Sequence, residues 1–504
     1  MAIFVFSCRI PPRNGKEMQK ATEPGAACVA SVVDSIMVTP KPTLLRQLGL
    51  ISAVALVISN MVGTGIFTST GYLAGDLGSP GVILWIWVVG GVCALLGAMC
   101  YSELGINFPK SGGEYLYLTQ AFGPSWGFMT GWASFFAGFS APIAAAALAF
   151  SEHLGHFFPA LQQANAPIIA GSGEWALRFG GAQALACLLV AVFTVLNIFG
   201  VRRVARVQNV LTAIKILVLL AFVVLGLMAS KGSFSHFSMT AVRDSSASLP
   251  AQFAVSLVFV YVAYSGWNAA TYVAEELRNP TRTLPLALGI GTALVMALYL
   301  ALNLVFIYAA PLEQLKGHEA VAAFAASRLW GPRVEGIFDA LMALALMSTV
   351  NAMITVGPRV YYAMAGNHAF PAVARQVHPR YHTPVAAIVA QGVCTILMMM
   401  TPFPQLMVYI GITLNFFAAL SVGSLFVLRR RPGWQKLRVV SFCYPLFPVL
   451  FIMVAAWVAF EGIRLKPYVA LAAAITIIAG ALVYHLRLRS HLPEVPPVPA
   501  VEIC

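Results

Sequence analysis

Two short glycine-containing stretches interrupt apolar segments that would otherwise be continuous helices. Gly63 and Gly65 flank Thr64 in the first segment, and Gly266 lies in the stretch 264–267 of a second segment, about 200 residues later. Where a helix unwinds, the carbonyls before the break and the N–H groups after it lose their helical partners. The freed N–H groups attract an anion such as a carboxylate, because the positive end of a helix dipole lies behind them. The freed carbonyls suit an ammonium group.

One kind of small molecule satisfies both sets of groups. An α-amino acid carries a carboxylate and an ammonium on one carbon, so it can meet the N–H groups and the carbonyls together. An alternative is that the glycines only allow neighbouring helices to pack closely. Two matched breaks in corresponding positions favour a binding site over that alternative. The backbone carbonyls expected near the ammonium belong to Met61, Val262, Ala263 and Ser265.

The composition indicates that these segments lie in a membrane. The chain of 504 residues is 59% hydrophobic and 10% charged, whereas a soluble domain carries roughly 25% charged residues. Segments of about 20 apolar residues can cross a bilayer. We predict twelve such spans, at residues 48–74, 80–104, 124–150, 181–200, 208–230, 251–276, 285–310, 334–363, 384–401, 404–428, 440–462 and 467–487.

The basic residues are distributed unevenly about these spans. The net charge is +13, and 22 of the 31 Lys and Arg residues fall in segments on the side of the two chain ends, against eight on the other side. Excess Lys and Arg marks the cytoplasmic side of membrane proteins. We therefore expect both termini in the cytoplasm of a multi-pass protein of the plasma or inner membrane. The expected partner of the charge is the lipid bilayer rather than nucleic acid.

The spans divide the chain into one membrane domain with two tails. Residues 1–44 and 490–504 are predicted to be disordered cytoplasmic tails, and residues 45–489 the twelve-helix domain. Each half of the first ten spans opens with an interrupted segment, and an odd number of spans per half gives the halves opposite orientations. The repeats would cover about residues 45–230 and 250–430, with two additional spans in 440–487.

Four stretches resemble a known family. They are residues 61–67 (MVGTGIF), 108–115 (FPKSGGEY), 264–268 (YSGWN) and 275–285 (EELRNPTRTLP). In this order they resemble the amino acid–polyamine–organocation (APC) superfamily, particularly the L-type amino acid transporters and their bacterial relatives. The resemblance implies an all-α LeuT-like fold of two inverted five-helix repeats plus two helices, and alternating access around a central site.

The resemblance also implies roles for individual residues. The substrate carboxylate would lie at Gly63, Thr64 and Gly65, and span ten would contribute to the pocket. Related L-type transporters have a bulky aromatic gate at the position of Val262, so here Tyr264 or Trp267 would close the site or the pocket would be roomier. The full substrate-binding set is Met61, Gly63, Thr64, Gly65, Val262, Ala263, Ser265, Gly266, Asn415 and Phe416.

Lys215 is a basic residue within predicted span five. A lysine at membrane depth suggests function, but its side chain could instead extend to the head groups. Family members carry a lysine here, which in some replaces a sodium ion and bridges spans one and eight. The resemblance therefore implies sodium-independent transport, by exchange or proton coupling, with Lys215 as the coupling residue.

Three further segments lie at the ends of the predicted spans. Glu275 is positioned to pair with Arg278 or Arg282, as a cytoplasmic gate or as a solvated helix end. Residues 116–123, too short to span, predict a helix at the inner membrane surface, and the outer loop 311–333 predicts short helices.

The sequence favours neutral amino acids as substrates. The spans expected to line the site show no carboxylate for a cationic side chain, since Glu103, Glu275 and Glu276 lie toward the cytoplasm. A carrier of cationic amino acids or polyamines remains an alternative. An enzyme or channel is disfavoured, because polar clusters and a polar pore lining are missing. We expect no cofactor and no metal. In vertebrate relatives a cysteine after span three attaches an ancillary subunit, and residues 151–180 contain none.

Overall fold

The chain folds into apolar helices joined by short connections. The computed structural model describes residues 44–162, 165–170, 177–318, 320–400, 403–465 and 467–488. Apart from Leu44, both predicted tails lie outside the described residues. The α-helices are α1 (Leu50–Met61), α2 (Gly65–Leu77), α3 (Pro80–Asn107), α4 (Glu114–Phe122), α5 (Pro124–Ala133), α6 (Ala141–Leu154), α7 (Gly181–Ile198), α8 (Val201–Met228), α9 (Leu249–Tyr264), α10 (Ala269–Tyr272), α11 (Pro280–Ala309), α12 (Leu312–Leu315), α13 (Val321–Trp330), α14 (Glu335–Val356), α15 (Pro358–Gly366), α16 (Val385–Met398), α17 (Phe403–Leu428), α18 (Arg438–Phe442), α19 (Leu446–Leu465) and α20 (Pro467–Val483).

Shorter elements complete the described backbone. A π-helical segment, Ser134–Ser140, joins α5 to α6, and a second, Tyr484–Leu488, follows α20. Strands β1 (Ile168–Ala170) and β2 (Leu177–Arg178) pair antiparallel. The 3₁₀ turns are Pro159–Leu161, Phe234–Ser238, Ala274–Glu276, Pro332–Val334 and Ala372–Arg375.

Apolar helices occur in all twelve predicted spans. Within the described residues, nine helical segments are long and apolar enough to cross a membrane. The segments in predicted spans six, nine and twelve are shorter apolar helices. The nine are Leu50–Leu77, Pro80–Asn107, Pro124–Leu154, Gly181–Ile198, Val201–Met228, Pro280–Ala309, Pro332–Gly366, Tyr409–Leu428 and Leu446–Arg464; the shorter three are Leu249–Tyr264, Val385–Met398 and Ala473–Leu486.

Helix α1 contacts helices on several sides. Helix α11 packs against α1 and α3, and α9 packs against α2 and α3. Helix α14 packs against α6, α7 and α8, and α6 also contacts α7. Helix α1 contacts α8 and α14 as well, so the first interrupted segment begins among α8, α11 and α14.

Helix boundaries follow from glycine, proline and asparagine. Gly78 ends α2 in the left-handed conformation (φ 66°), and Pro80 begins α3. Asn279 also adopts left-handed backbone (φ 47°) directly before Pro280, which begins α11. Asparagine tolerates this conformation better than most residues, and proline suits the first turn of a helix.

Two predicted surface elements differ in their surroundings. The outer loop contains α12 and α13, as expected. A short helix is also present at 116–123, as predicted: α4 begins at Glu114, and its residues through Gln120 are buried against neighbouring helices. Its position at the inner membrane surface stays a prediction. Gly112 and Gly113 allow the close packing before it, since added Cβ atoms would lie 2.8 Å from the Ala363 Cβ and 2.6 Å from the Tyr272 ring.

Candidate functional site

The first break is short and leaves N–H groups free. Helix α1 ends at Met61, and the Gly63 N–H donates back to the Met61 carbonyl at 2.9 Å. Helix α2 begins at Gly65. Among the described residues, the N–H groups of Thr64, Gly65 and Ile66 have no hydrogen-bond acceptor. These are the orphan donors expected at a helix N-terminus.

The second break is longer and requires glycine. Helix α9 ends at Tyr264, and the Ser265 N–H donates to the Val262 carbonyl at 3.1 Å. Gly266 has a φ of +99°, a conformation that side chains other than glycine rarely adopt. Helix α10 then forms only one turn before the 3₁₀ turn Ala274–Glu276.

The two breaks pack directly against each other. A Cβ on Gly65 would lie 2.6 Å from the Cα of Ala263, and a Cβ on Gly266 would lie 2.7 Å from the carbonyl carbon of Asn60. Any side chain at either glycine would therefore push the two backbones apart. The glycines allow the breaks to form one junction between α1–α2 and α9–α10.

Tyr299 joins the two breaks through their carbonyls. Its hydroxyl lies 2.7 Å from the Met61 carbonyl oxygen and 3.0 Å from that of Ala263, and it is fully buried on α11. The Ser265 hydroxyl similarly donates to the Val262 carbonyl at 2.7 Å. The sequence analysis missed Tyr299. Its polar group within an apolar span was the only available signal, and tyrosine is often present in spans for packing.

Lys215 binds the remaining carbonyl of the first break. Its Nζ donates to the Val62 carbonyl at 2.7 Å and to the Thr349 hydroxyl at 2.9 Å. The side chain is 1% exposed, so it does not extend to the membrane surface. Lys215 therefore connects the break in α1 with α14.

A buried polar network lies beside Lys215. It connects α1, α7, α8 and α14 through direct hydrogen bonds of 2.6–3.2 Å between side chains. Within an apolar environment such bonds hold helices in register. Its members, each at most 2% exposed, are Ser59, Asn197, Gln208, Thr212, Ser348, Asn351 and Thr355.

A cavity opens beside the second break. Val262, Ser265, Gly266 and Asn268 form one wall, and Asn415 lies in its lining. Most of its other lining residues are apolar, including Phe139, Pro142, Leu414 and Phe451.

The predicted binding residues do not all line this cavity. Four of them do, namely Val262, Ser265, Gly266 and Asn415, and so does Trp267, which was predicted as a gate. Met61, Gly63, Thr64, Gly65 and Ala263 lie in the junction behind that wall, where Gly63 and Thr64 are partly exposed.

Two aromatic predictions are not supported by this geometry. Phe416 is 38% exposed and contacts the Phe417 ring, because neighbouring helical residues point in different directions. The Tyr264 hydroxyl donates to the Trp87 carbonyl at 3.1 Å, and its ring packs on Trp87 and Tyr299. Tyr264 therefore packs behind the break, whereas Trp267 lines the cavity.

Glu114 is a carboxylate in the cavity wall. Its Oε1 accepts hydrogen bonds from the Tyr101 hydroxyl at 2.6 Å and from Asn268 Nδ2 at 3.0 Å. The sequence analysis considered only carboxylates within the predicted spans and so missed Glu114, which lies between spans two and three on a helix that packs against α5 and α17. Helix α4 lies outside the nine candidate spans. Burial raises the pKa of Glu114 to about 7, although hydrogen bonds from Tyr101, Asn268 and Tyr272 lower it.

The comparisons with known proteins cover nearly the whole described region. Residues 48–481 match the family described as "Amino acid permease". The chain belongs to the amino acid permease family. The permease is therefore a transporter rather than an enzyme.

Relatives of the permease come from mammals and bacteria. It is 30% identical over 456 residues to the human "b(0,+)-type amino acid transporter 1", covering 89% of each chain. It is 29% identical to the mouse "Large neutral amino acids transporter small subunit 2", covering 90% of the permease and 83% of that relative. It is 28% identical to the "Serine/threonine exchanger SteT" of Bacillus subtilis (strain 168), covering 81% and 89% respectively.

The ion pair at the end of the second interrupted segment involves other residues than the predicted gate. Arg278 and Arg282 are exposed, and neither pairs with Glu275 in the part of the chain that the structure describes. Instead Glu276, which is fully buried, accepts from Arg359 Nε at 2.8 Å. The prediction of a Glu275 pair was wrong, because the 3₁₀ turn directs Glu276 inward toward α15.

The same ion pair borders the start of the first helix. The N–H groups of Gln47 and Leu48 both donate to the Glu276 carbonyl at 2.9 Å, and Arg278 N–H donates to the Leu48 carbonyl at 2.8 Å. The segment before α1 is thus attached to the end of the second interrupted segment. Among the residues described here, no three His, Cys, Asp or Glu side chains cluster to hold a metal ion.

Proposed function

We propose that the permease is a secondary carrier that moves neutral L-amino acids across the membrane by alternating access. The observation that carries this proposal is the cavity walled by the unwound segment between α9 and α10, directly beside the break between α1 and α2. Relatives named as transporters of large neutral amino acids and as a serine/threonine exchanger support the substrate class.

The substrate carboxylate would bind the free N–H groups of Thr64, Gly65 and Ile66. These groups point from the N-terminus of α2, where the helix dipole favours an anion. The ammonium would bind carbonyls at the α9 break, where Val262 and Ser265 line the cavity. The apolar lining and Asn415 would contact the side chain. Because Gly65 packs against Ala263, the two breaks must move slightly apart before the substrate carboxylate can reach the N–H groups of Thr64 and Gly65.

We also propose that transport does not require sodium. Unwound carbonyls commonly bind Na⁺ in transporters of this architecture. Here Lys215 Nζ lies 2.7 Å from the Val62 carbonyl oxygen. The Tyr299 hydroxyl lies within hydrogen-bond distance of the carbonyl oxygens of Met61 and Ala263. The side chains of the permease thus donate to the carbonyls of both breaks, so these carbonyls do not need a metal ion as a partner. Lys215 would couple the state of the α1 break to α14.

For the membrane arrangement, we propose a LeuT-like fold of twelve spans. The two five-span repeats would each begin with an interrupted segment, and spans eleven and twelve would stand outside them. The distribution of Lys and Arg supports cytoplasmic termini in a plasma or inner membrane. Both tails would then be cytoplasmic, and Glu276–Arg359 would close the cytoplasmic end.

We propose that the permease works without a disulfide-linked subunit. One group of relatives is named as small subunits, so those proteins have a larger partner. Residues 151–180 of the permease contain no cysteine for a covalent link. Non-reducing electrophoresis of membranes tests this directly, because a covalent partner would shift the band and a reductant would reverse the shift.

Glu114 supports a second candidate, a carrier of cationic amino acids. An ionised carboxylate in the wall could partner a guanidinium or ammonium side chain. However, Glu114 Oε1 already accepts bonds from Tyr101 and Asn268, and burial without a cation favours its neutral form. Neutral substrates therefore remain the first candidate.

Competition in proteoliposomes tests the substrate class. The purified permease would take up labelled leucine or serine in sodium-free buffer, with each natural amino acid as competitor. We expect neutral amino acids to compete and sodium to have no effect. Preferential competition by lysine and arginine would favour the second candidate, and a strict sodium requirement would contradict the roles of Lys215 and Tyr299. Protein-free liposomes provide the background.

A further inference from the structure

We propose that Glu114 is a proton-binding site of the transport cycle, which takes up a proton with the substrate and releases it on the other side. This inference rests on the proposed function as an amino acid carrier. It adds the coupled ion and the group that carries it, in place of Lys215.

The surroundings of Glu114 combine access to the cavity with burial. The side chain lies in the cavity wall, and the residue is 4% exposed. Its Oε1 accepts two hydrogen bonds, both from neutral groups. A buried carboxylate that has only neutral partners retains a proton far more readily than one in water. Filling the cavity with water would lower that preference.

The arginines on the elements that pack around α4 bind other groups, and Arg431 binds the side chain and the carbonyl of Gln120 on α4 itself. On α15, Arg359 pairs with Glu276, and beyond the end of α17, Arg429 binds both oxygens of Glu103 at 2.6 and 2.7 Å. The groups that face Glu114 are uncharged: Tyr101 on α3, Tyr117 on α4, Asn268 before α10, Tyr272 on α10 and, across the cavity, Asn415 on α17.

Protonation would change the link between Glu114 and the second break. Asn268 donates from Nδ2 to Glu114 Oε1 and to the Tyr272 hydroxyl at 2.9 Å. A carboxylate accepts a stronger hydrogen bond than a neutral acid. Loss of the charge therefore weakens the attachment of the break to α4, and its return strengthens it. The proton state of Glu114 thereby biases the position of a segment that forms the binding wall.

The proton comes from water and returns to water. When the cavity opens outward, the Glu114 carboxylate takes a proton from a hydronium ion, giving a carboxylic acid and water. When the cavity opens to the cytoplasm, the acid transfers that proton to water and becomes a carboxylate again. One proton therefore accompanies each substrate molecule, and no other reactant is needed.

The Glu114→Gln variant tests this proposal, because glutamine resembles the protonated acid in shape and hydrogen bonding. In proteoliposomes we expect uptake by the unmodified protein to fall at least threefold from pH 6 to pH 8 and to acidify the lumen, followed with a trapped pH-sensitive dye. Glu114→Gln should lose both the pH dependence and the acidification while still exchanging internal for external substrate. Glu275→Gln, a nearby carboxylate outside the cavity lining, should keep the pH dependence.

Three outcomes would overturn the inference. The first is the same pH dependence and acidification in Glu114→Gln as in the unmodified protein. The second is uptake without proton movement in the unmodified protein, which leaves the proposed carrier function intact. The third is a selective loss of lysine uptake in Glu114→Gln, which would make Glu114 a side-chain ligand. Binding of labelled substrate to each detergent-purified variant separates misfolding from a loss of coupling.

Discussion

The two helix breaks look alike in sequence but differ in their surroundings. The break between α1 and α2 is packed: Lys215 and Tyr299 bind its carbonyls, and Gly65 lies against Ala263. The break between α9 and α10 lines the cavity and is followed by a single helical turn. At the first break Lys215 and Tyr299 bind the carbonyls, and the N–H groups at the start of α2 stay free of acceptors within the described part of the chain. At the second break Tyr299 also meets the Ala263 carbonyl, but the segment from Val262 to Asn268 lines the cavity. The cavity wall therefore comes mainly from the second break, with the free N–H groups of the first break beside it.

Substitution of Gly266, which disturbs the second break, should cause the largest reduction in uptake. A methyl group at φ +99° costs about 1–2 kcal/mol of backbone strain, and contact with Asn60 adds about 1–3 kcal/mol of overpacking. We expect Gly266→Ala to lower uptake about 100-fold without preventing membrane insertion. Uptake by purified protein in proteoliposomes measures this.

Substitutions at three other glycines test whether the loss of uptake is specific to tightly packed positions in the breaks. Gly65→Val should lower uptake to a similar extent, because Ala263 leaves no room for a side chain. Gly63→Ala should have a smaller effect, since its Cβ would lie 3.5 Å from the Thr349 methyl, an ordinary contact. Gly81→Ala, where nothing lies within 4 Å, controls for general effects. Normal uptake by Gly266→Ala would mean that the second break does not form the wall.

Substitution of Lys215 tests whether the first break needs its donor. Lys215→Met keeps much of the side-chain volume but removes the bonds to Val62 and Thr349. Hydrogen bonds from charged groups contribute about 1.5–3 kcal/mol, so we expect the maximal uptake rate to fall at least about tenfold. A rate equal to that of the unmodified protein would show that the α1 carbonyl does not depend on Lys215.

Removal of the Tyr299 hydroxyl should have a moderate effect. Tyr299→Phe leaves the ring in place but frees the carbonyls of Met61 and Ala263. One net hydrogen bond is worth about 1 kcal/mol, so we expect the KM for substrate to rise about fivefold. Tyr264→Phe is the control, because its hydroxyl contacts α3 rather than a break. Equal effects of the two variants would contradict a specific role for Tyr299.

Two neighbouring residues on α17 should show the smallest effects. Asn415 lines the cavity and donates to the Ala455 carbonyl at 2.9 Å, whereas Phe416 is exposed. We expect Asn415→Ala to raise the KM about threefold, as for the loss of one hydrogen bond. Phe416→Ala should change it less than about twofold, as for surface sites. Concentration series for both variants measure this, and a reversed order would mean that Phe416 reaches the substrate.

The sequence predicted the positions of the breaks more successfully than their partners. Unwinding at Gly65 and at Gly266 follows from residue type, because only glycine leaves room for such close approach of the neighbouring backbone. Tyr299, Glu114 and Arg359 could not be assigned from spacing, since their roles depend on helix rotation and on contacts far apart in the chain. Likewise, consecutive positions such as Asn415 and Phe416 differ only in the direction that each side chain points.

We propose that a neutral amino acid binds between the two unwound segments. A cryo-electron microscopy map of the permease in lipid nanodiscs with such an amino acid tests it most directly. We predict density bounded by the N–H groups of Thr64 and Gly65 and by the segment from Val262 to Asn268. Density for the amino acid elsewhere, or α1–α2 and α9–α10 each running as one uninterrupted helix, would contradict the account.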